Sequence, residues 1–412
     1  MKEGILHCDL DNFFASAELI SRPELRTFPI AVCGNPSSEH GIILSKNEHA
    51  KKFGVKTAET VFDAKNKCPD LILIPPNRNK YIKYSYYVRN IFLRYTDLVE
   101  PFGIDEAWLD VSGSSLAFGS PETIAFEIKE KIKKELGLTL SAGVSFNKVF
   151  AKIGSDYKKP DSVTVINKNN YKNIIYPLPV DSLLFIGSKT KSKLRNMDVR
   201  TVGDLANISR WDLIRKFGKY GNTIYDIVSG NSDDHVRNYY EKQIVKSIGN
   251  GQTFYHNIKN KQDVNKAFLV LSERTALRLR KAGLLCNCVK ITIKTPGLIS
   301  FDRQKKMRKP TDVTRDIYKQ ATEIFEDSWK YPTNIRMLAV TVSGLSENGI
   351  GNQLELFPVD KRVEHESDLQ YRNLDRTIDD IREKFGNDSI DSASLSNFEL
   401  FPGISMDYGD IE

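Results

Sequence analysis

The sequence predicts a multidomain α+β protein, and three observations predict it. A chain of 412 residues exceeds what one hydrophobic core holds, and at roughly 150 residues per domain it divides into two to four. The first third alternates short apolar runs with helical patterns. The strand signal then fades from about Pro177 to Asp234 and returns beyond Tyr240 in a different form.

Taken in order, the runs GILHCDL, PIAVCG, GIILS, LILIPP, WLDVSG, LTLSAGVSF and SVTVI have the length and apolar character of buried strands. Among them, SPETIAFEIKEKIKKELG predicts a helix: Ser120 caps it, Pro121 fits the first turn, Ile124, Ile128, Ile132 and Leu136 share a face, and Gly137 stops it. Glycine then punctuates FIGSKTKSKLRNM, TVGDLANI and LIRKFGKYGNTIYDIVSG, which read as a small all-helical module. Farther on, CVKITIKT places Val289, Ile291 and Ile293 on one face and Lys290, Thr292 and Lys294 on the other, and MLAVTVSGL alternates through Leu338, Val340 and Val342. Helical stretches NKAFLVLSERTALRLRKAG and TRDIYKQATEIFEDSW separate these strands, so a sheet with one face on helices and one presenting lysine is expected. A last helix is expected around Leu374, Ile378, Ile381 and Phe385, closed by Gly386, before a polar tail.

Composition excludes several classes. No apolar stretch approaches the ~18 residues of a membrane span, and Asp9 and Asp11 fall where a signal peptide needs an apolar core. Cysteines 8, 33, 68, 286 and 288 form neither a disulfide framework nor a paired CxxC zinc pattern. A cytoplasmic protein is expected. Its net charge of +7 hides an asymmetry: residues 359–412 hold 6 Lys/Arg and 14 Asp/Glu, leaving +15 on the rest. The end reads as a solvated tail or accessory segment, and the body as a partner for an anionic polymer. Arg274 to Lys309, with eleven Lys/Arg against the single acid Asp302, is the densest phosphate-binding candidate.

Two acidic motifs carry the chemistry. In PFGIDEAWLDV, Asp105 and Glu106 are adjacent carboxylates in a run that otherwise reads as buried, and an ionised carboxylate avoids burial unless a cation compensates it. In ILHCDLDNFFASAE a buried strand runs into Asp9 and Asp11 and hands over to a helix. An acid at a strand end plus a DE pair in a second strand is the arrangement that clamps two divalent cations for phosphoryl transfer. Hard cations select carboxylate oxygens. Asp11 is read as a cap of the following helix, and Cys286 and Cys288 as packing residues.

The motifs CDLDNFFASAE, KKFGVKTAE, PFGIDEAWLDVSG, SAGVSFNKVFAKIGSDYKKPDS and LLFIGSKTKSKLRNMDVRTVGDLA resemble, in order and spacing, a Y-family DNA polymerase of the bacterial DNA polymerase IV type, over residues 1 to 346. The resemblance implies a right hand: palm at 1–11 and 78–166, fingers at 12–77, helical thumb at 167–238, α+β little finger at 243–346, and a C-terminal tail at 347–412. It implies two Mg2+ per active site, with Mn2+ as a substitute, held by Asp9, Asp105 and Glu106 with the Leu10 carbonyl. Phe14 takes the steric-gate position against C2′ of the incoming sugar, and Phe13, Ser45, Lys51 and Lys159 complete the nucleotide-binding set. Primer-template DNA would meet helix-hairpin-helix elements at Gly187, Lys189 and Lys191, and the little finger at Lys290, Lys294, Arg303, Lys305, Lys306 and Arg308. QLELF, with Gln353, Leu354, Leu356 and Phe357, resembles the peptide by which bacterial polymerases bind the sliding clamp; the second ELFP, at 399–402, reads as coincidence.

The chain also departs from the pattern. Where the family has a triphosphate-contacting Tyr and Arg stand Glu48 and Lys51; a lysine is a point charge that does not fork as arginine does, and Glu48 would repel a triphosphate it faced. Ile42 and Leu44 fall where small side chains often roof the nascent pair, which implies a tighter site. The implied activity is low-fidelity translesion addition of dNTPs by a monomer with no stretch left for a proofreading exonuclease. Two other readings are a catalytically silent DNA-binding accessory protein and a nucleotide cyclase on a palm-like sheet. The three acids speak against the first, the helical module and basic domain against the second.

Overall fold

The computed structural model describes residues 4–34, 36, 41–232, 235–329, 334–347, 361–386 and 389–395. They form two compact units, Met1–Lys242 and Gln243–Glu412.

In the first unit, strand β1 (Ile5–Leu10) turns directly into helix α1 (Phe13–Ile20). A three-stranded sheet follows, of β2 (Ile30–Cys33), β3 (Ile43–Lys46) and β4 (Ile72–Ile74) in the order β3-β2-β4, with short helices α2 (Glu48–Lys52) and α3 (Val61–Lys67). Asn47 and Thr60 cap these helices by accepting the Ala50 and Asp63 N–H groups. Helix α4 (Arg78–Phe92) leads to β5 (Val99–Pro101) and β6 (Glu106–Asp110); after the one-turn α5 (Ser115–Phe118) come α6 (Pro121–Leu136), β7 (Leu140–Ser145), α7 (Lys148–Tyr157) and β8 (Val163–Ile166). The sheet order is β5-β6-β1-β7-β8, with β1 antiparallel to both neighbours.

All six residues of β1 are buried, as befits a central strand covered on both faces. The predicted α6 starts with Ser120 accepting the Thr123 N–H and stops at Gly137, whose φ of 69° a side chain would resist. Ile124, Ile128 and Ile132 bury fully with Leu6, Leu109 and Leu140. The helical module that follows comprises α8 (Tyr171–Ile175), α9 (Ser188–Arg195), α10 (Val202–Ala206), α11 (Arg210–Phe217) and α12 (Lys219–Val228). Gly218 makes the hairpin between α11 and α12 at φ 64°. A Cβ on Gly221 would lie 2.1 Å from the Leu213 carbonyl oxygen, so glycine is what lets these helices meet.

The second unit is the expected sheet on helices. Strands β9 (Ser247–Ile258), β10 (Leu284–Lys294), β11 (Ser300–Thr311) and β12 (Ile335–Ser343) pair antiparallel in the order β11-β10-β12-β9. Val289, Ile291, Ile293, Leu338, Val340 and Val342 pack in one core with Phe268 of α13 (Lys261–Lys281) and Phe325 of α14 (Thr314–Ser328).

The acidic end is not all tail. Helix α15 (Lys361–Phe385) docks on this unit, and Gly386 ends it at φ 97°. Arg280 on α13 donates to both Asp379 carboxylate oxygens, at 2.6 and 2.9 Å, and to Asp375 at 3.1 Å. Arg372 pairs with buried Asp312, and buried Arg382 with Glu273. The docked face is therefore ionic, while Leu374 and Phe385, two of the apolar residues that predicted the helix, are exposed. Arg280 also leaves the basic run: its charge is spent inside the unit, not offered to a polymer.

Candidate active site

The site is built by register. Pairing of β1 with β6 sets Asp9 directly opposite Glu106, and the Leu10 N–H donates to the Asp105 carbonyl at 3.1 Å, so three carboxylates from two motifs converge at one strand end. The turn before β6 is fixed from α4, where Ser85 donates to the Ile104 carbonyl and Arg89 to the Gly103 carbonyl. Gly103, at φ 84°, supplies the left-handed backbone that the turn needs.

Helix α7 reaches the same place because of two glycines. A Cβ on Gly143 would lie 1.9 Å from the Ala151 carbonyl oxygen, and one on Gly154 would lie 2.9 Å from Gly143 Cα. Without side chains there, α7 lies flat on the sheet and brings its cations to the acids. Lys152 pairs with Glu106 Oε2, and Lys159, just beyond the helix, lies 2.8 Å from Asp9 Oδ2 and 2.8 Å from Asp156 Oδ1.

These contacts set the electrostatics. Burial pushes the Asp9 carboxyl up to about 7, despite the opposing charge and hydrogen bond of Lys159. Burial and the neighbouring Glu106 charge raise Asp105 as well. For Glu106 burial pushes upward too, but hydrogen bonds from His7 and Lys152 outweigh it and hold the carboxyl below its usual range. Burial opposes the Lys159 charge, yet Asp9 and Asp156 outweigh it and hold the ammonium above its ordinary pKa. Asp9 and Asp105, short of compensating charge, are the acids that a cation would relieve.

A cleft of about 290 Å³ opens over these acids, lined by Asp9, Leu10, Asp105 and Lys159 on one side and by Leu44, Ser45, Lys46, Glu48, Lys51 and Thr57 on the other. Phe13 and Phe14 both border it from α1; Phe14 is half-buried, and Phe13 is buried with its ring in the core. Glu48 accepts the Asn12 side-chain N–H at 3.0 Å and lies 3.5 Å from Lys51 Nζ. Lys51 thus stands at the cleft with a charge that Glu48 partly answers. Asp11 does not cap α1: that position belongs to Asn12, at φ 50°. Instead the Asp11 carboxylate accepts the Ser141 hydroxyl at 2.7 Å and the Asp161 N–H at 2.8 Å, fastening the Lys159 loop to the strand end.

Other residues were not legible as site residues. The Tyr81 ring stacks on Phe14 at 4.2 Å and 9°, and its hydroxyl donates to buried Glu18 at 2.9 Å. Glu18 also takes Lys80 at 2.8 Å. The available signal was the spacing: Glu18 lies four residues after Phe14, hence on the same helix face.

The candidate DNA-facing residues divide. Gly187 precedes α9 and Lys189 is exposed, but Lys191 pairs with Asp181. In the second unit, Lys290 lies opposite Gln304, Cys288 opposite Lys306, and Lys294 opposite Ser300, so Lys290, Lys294 and Lys306 share the open sheet face. Arg303 and Lys305 alternate to the helix side, opposite Ile291 and Val289, and Lys305 reaches Glu323 of α14 at 3.5 Å. Arg308 is exposed. Gln353, Leu354, Leu356 and Phe357, with the second ELFP, lie outside the described residues. Among the described residues no helix is long and apolar enough to cross a membrane.

A sheet that gathers acids beneath a nucleotide-sized cleft, joined to a hairpin-bearing helical module and a lysine-faced sheet, defines a polymerase. Comparison with known proteins agrees. Residues 8–156 match the impB/mucB/samB family, residues 245–356 its C-terminal domain, and residues 182–231 the thumb domain of DNA polymerase-iota. DNA polymerase IV of Acetivibrio thermocellus is 48% identical over 391 residues, 95% of this chain and 96% of that protein. DNA polymerase IV of Clostridium kluyveri is 35% identical over 396 residues, covering 96% and 98%. A Y-family DNA polymerase chimera of Dbh and Dpo4 has the same fold, with a TM-score of 0.72 at 22% identity over 84% of this chain and 99% of that one. The chain belongs to the Y family of DNA polymerases, in its bacterial DNA polymerase IV branch. It is a DNA-directed translesion DNA polymerase that binds DNA and dNTPs.

Proposed function

We propose that the cleft adds dNTPs to a primer 3′-hydroxyl by two-metal-ion phosphoryl transfer, without proofreading and under recruitment by the sliding clamp. The observation that carries this reading is the strand register that sets Asp9 against Glu106 beside Asp105. The donor set fits hard divalent cations: it is made of carboxylates with the Leu10 carbonyl adjacent, and two of the carboxylates already draw lysine ammonium groups into contact. Asp9, Asp105, Glu106 and the Leu10 carbonyl would hold two Mg2+, or Mn2+ in their place. When bound, the cations would activate the primer hydroxyl and neutralise charge on the phosphates.

The chain's own groups do the positioning. Lys159, already drawn to the acids, offers its ammonium to the triphosphate. Phe14, braced by Tyr81, sets a wall at the sugar. Ser45 and Lys51 approach from the opposite side of the cleft. Reading of the template is left to base pairing, while Gly187 and Lys189, and the lysines of the open sheet face, meet phosphates. We assign palm, fingers, thumb, little finger and tail to the residue ranges given above, and place the enzyme in the cytoplasm as a monomer.

Extension of a primer on undamaged template with Mg2+ and single dNTPs tests this reading: the templated nucleotide should be added and retained. Failure to extend, or removal of a terminal mismatch, overturns it. Alanine at Gln353, Leu354, Leu356 and Phe357 should leave activity on short oligonucleotides unchanged and remove stimulation by the clamp, because tethering raises local concentration without altering chemistry. Equal stimulation of both proteins would remove QLELF as the tether.

A further inference from the structure

Glu106 is held from behind by groups that the mechanism above does not use. His7 is fully buried in β1 and lies directly opposite Trp108, two residues from Glu106 on the same sheet face. Its Nε2 comes to 3.1 Å from Glu106 Oε2, off the axis of a straight hydrogen bond, and no hydrogen-bond partner meets it more squarely among the described residues. Its Nδ1 lies 2.8 Å from the Ser155 hydroxyl on α7. The imidazole packs edge-on to Trp108 at 5.2 Å, and the Trp108 indole N–H donates to the Lys148 carbonyl at 2.9 Å. The ring is therefore fixed on every side.

From this arrangement we infer that His7, set by Ser155, is a positioning residue that turns Glu106 so that Oε1 faces the cations. A neutral imidazole carries one N–H, and an ionised carboxylate only accepts. The N–H accordingly falls on Nε2, toward Glu106, and Nδ1 accepts the Ser155 hydroxyl. The Ser155 hydroxyl has one proton, and Nδ1 shares it with the Lys152 carbonyl, to which the hydroxyl donates at 2.7 Å in its own helix. Lys152 contacts the same Oε2 that His7 does. With Oε2 engaged twice, the carboxylate presents Oε1 and loses its freedom to rotate. Outer groups that orient a ligand in this way are worth about 10 to 100-fold in metal affinity or activity when removed.

The inference rests on Glu106 being a cation ligand, and the test separates the two. His7→Phe keeps an aromatic ring against Trp108 and deletes both nitrogens; His7→Gln restores an N–H donor near the position of Nε2; Ser155→Ala removes the partner of Nδ1. Primer extension is measured against Mg2+ and against dNTP, with thermal melting alongside and Glu106→Gln as reference. His7→Phe should raise the Mg2+ concentration for half-maximal rate, and lower kcat, each about tenfold, while KM for dNTP stays within about twofold and the melting temperature holds. His7→Gln should recover most of that loss, and Ser155→Ala should show a smaller shift of the same kind.

A normal Mg2+ half-saturation in natively folded His7→Phe overturns the inference, as does a natively folded His7→Gln as impaired as the Phe variant. If His7→Phe melts early, Ser155→Ala decides, and an unchanged Mg2+ dependence there overturns it. Wild-type extension by Glu106→Gln would instead overturn the assignment of Glu106 itself.

Discussion

Both units present a mixed set of charges on a largely antiparallel sheet backed by helices, yet they treat charge in opposite ways. In the first, β1 is buried along its length and the acids at its end are drawn out of water, so Asp9 and Asp105 are pushed toward protonation. In the second, Lys290, Lys294 and Lys306 stand on the sheet face opposite the one that packs on α13 and α14, while the apolar half of the alternation packs beneath. A buried charge demands a partner at a fixed distance, so its neighbours are specified individually. An exposed charge meets a phosphate through water and salt, so number and face matter more than identity. On the function proposed above, the first sheet serves chemistry and the second adhesion.

That contrast breaks most visibly at the acids. Asp105→Asn or Glu106→Gln should lower extension by about a hundredfold to a thousandfold, the order lost with a group that stabilises developing charge. The dissociation constant for primer-template, by fluorescence anisotropy, should stay within about twofold. A variant that extends normally, or that loses DNA binding in step with activity, would show that the two sheets do not divide the labour.

On the proposed reading, selection of the sugar belongs to the first unit by the same logic. Phe14→Ala opens the space at C2′, and the ratio of ribonucleotide to deoxynucleotide insertion should rise roughly a hundredfold, since a steric wall and not a hydrogen bond makes the distinction. Single-nucleotide insertion kinetics with both sugars read it directly. An unchanged ratio would reduce Phe14 to a core residue beside Tyr81.

The open face should respond in the complementary manner. Replacing Lys290, Lys294 and Lys306 by alanine should weaken primer-template binding about tenfold and flatten its salt dependence by roughly 0.9 for each phosphate no longer neutralised. Single-turnover insertion at saturating DNA should not change. Arg303 and Lys305 replaced together should do less, because they lie on the helix side and Lys305 is already paired. Equal losses from both sets would mean that total charge, not the sheet face, governs binding.

The same contrast explains what is readable in the sequence. The caps and stop of α6, and the alternation through Val289 and Val340, are local rules written within a few residues, and the structure follows them. Asp9, Asp105 and Glu106 stand out because an acid in an apolar run contradicts its surroundings; Asp9 is buried and the other two are half-buried. Tyr81, Glu18 and His7 do not stand out, because each looks like ordinary core until a partner 63 residues away, as for Glu18 and Tyr81, or 148 away, as for His7 and Ser155, is known. Asp11 reads wrongly as a cap for the same reason: its partners Ser141 and Asp161 are distant in sequence, and a local cap is the nearest explanation within reach. On the second sheet, composition counts Arg280 with the DNA-facing charges, and only the docking of α15 shows where its charge goes.

The smallest expected effect tests how closely the first unit fits its substrate. In β3, Ile43 is buried and Leu44 is 39% exposed, turned into the cleft beside the positions of Ser45 and Lys51 and across from Phe14. If the cleft takes the nascent base pair as proposed, a branched side chain there takes volume from it, and adding a bulky template adduct overpacks the same space. Overpacking costs about 1 kcal/mol at its lower end, which as a barrier is roughly fivefold in rate. Leu44→Ala should therefore raise insertion opposite a bulky lesion, relative to undamaged template, by about that factor. Pairing on undamaged template should become less selective, because the wall that presses a correct pair together is also withdrawn. Insertion kinetics on matched damaged and undamaged templates supply the ratio. A ratio that stays level or falls would place the roof of the cleft on another residue, and the excess volume implied by Leu44 would then lie outside the path of the base pair.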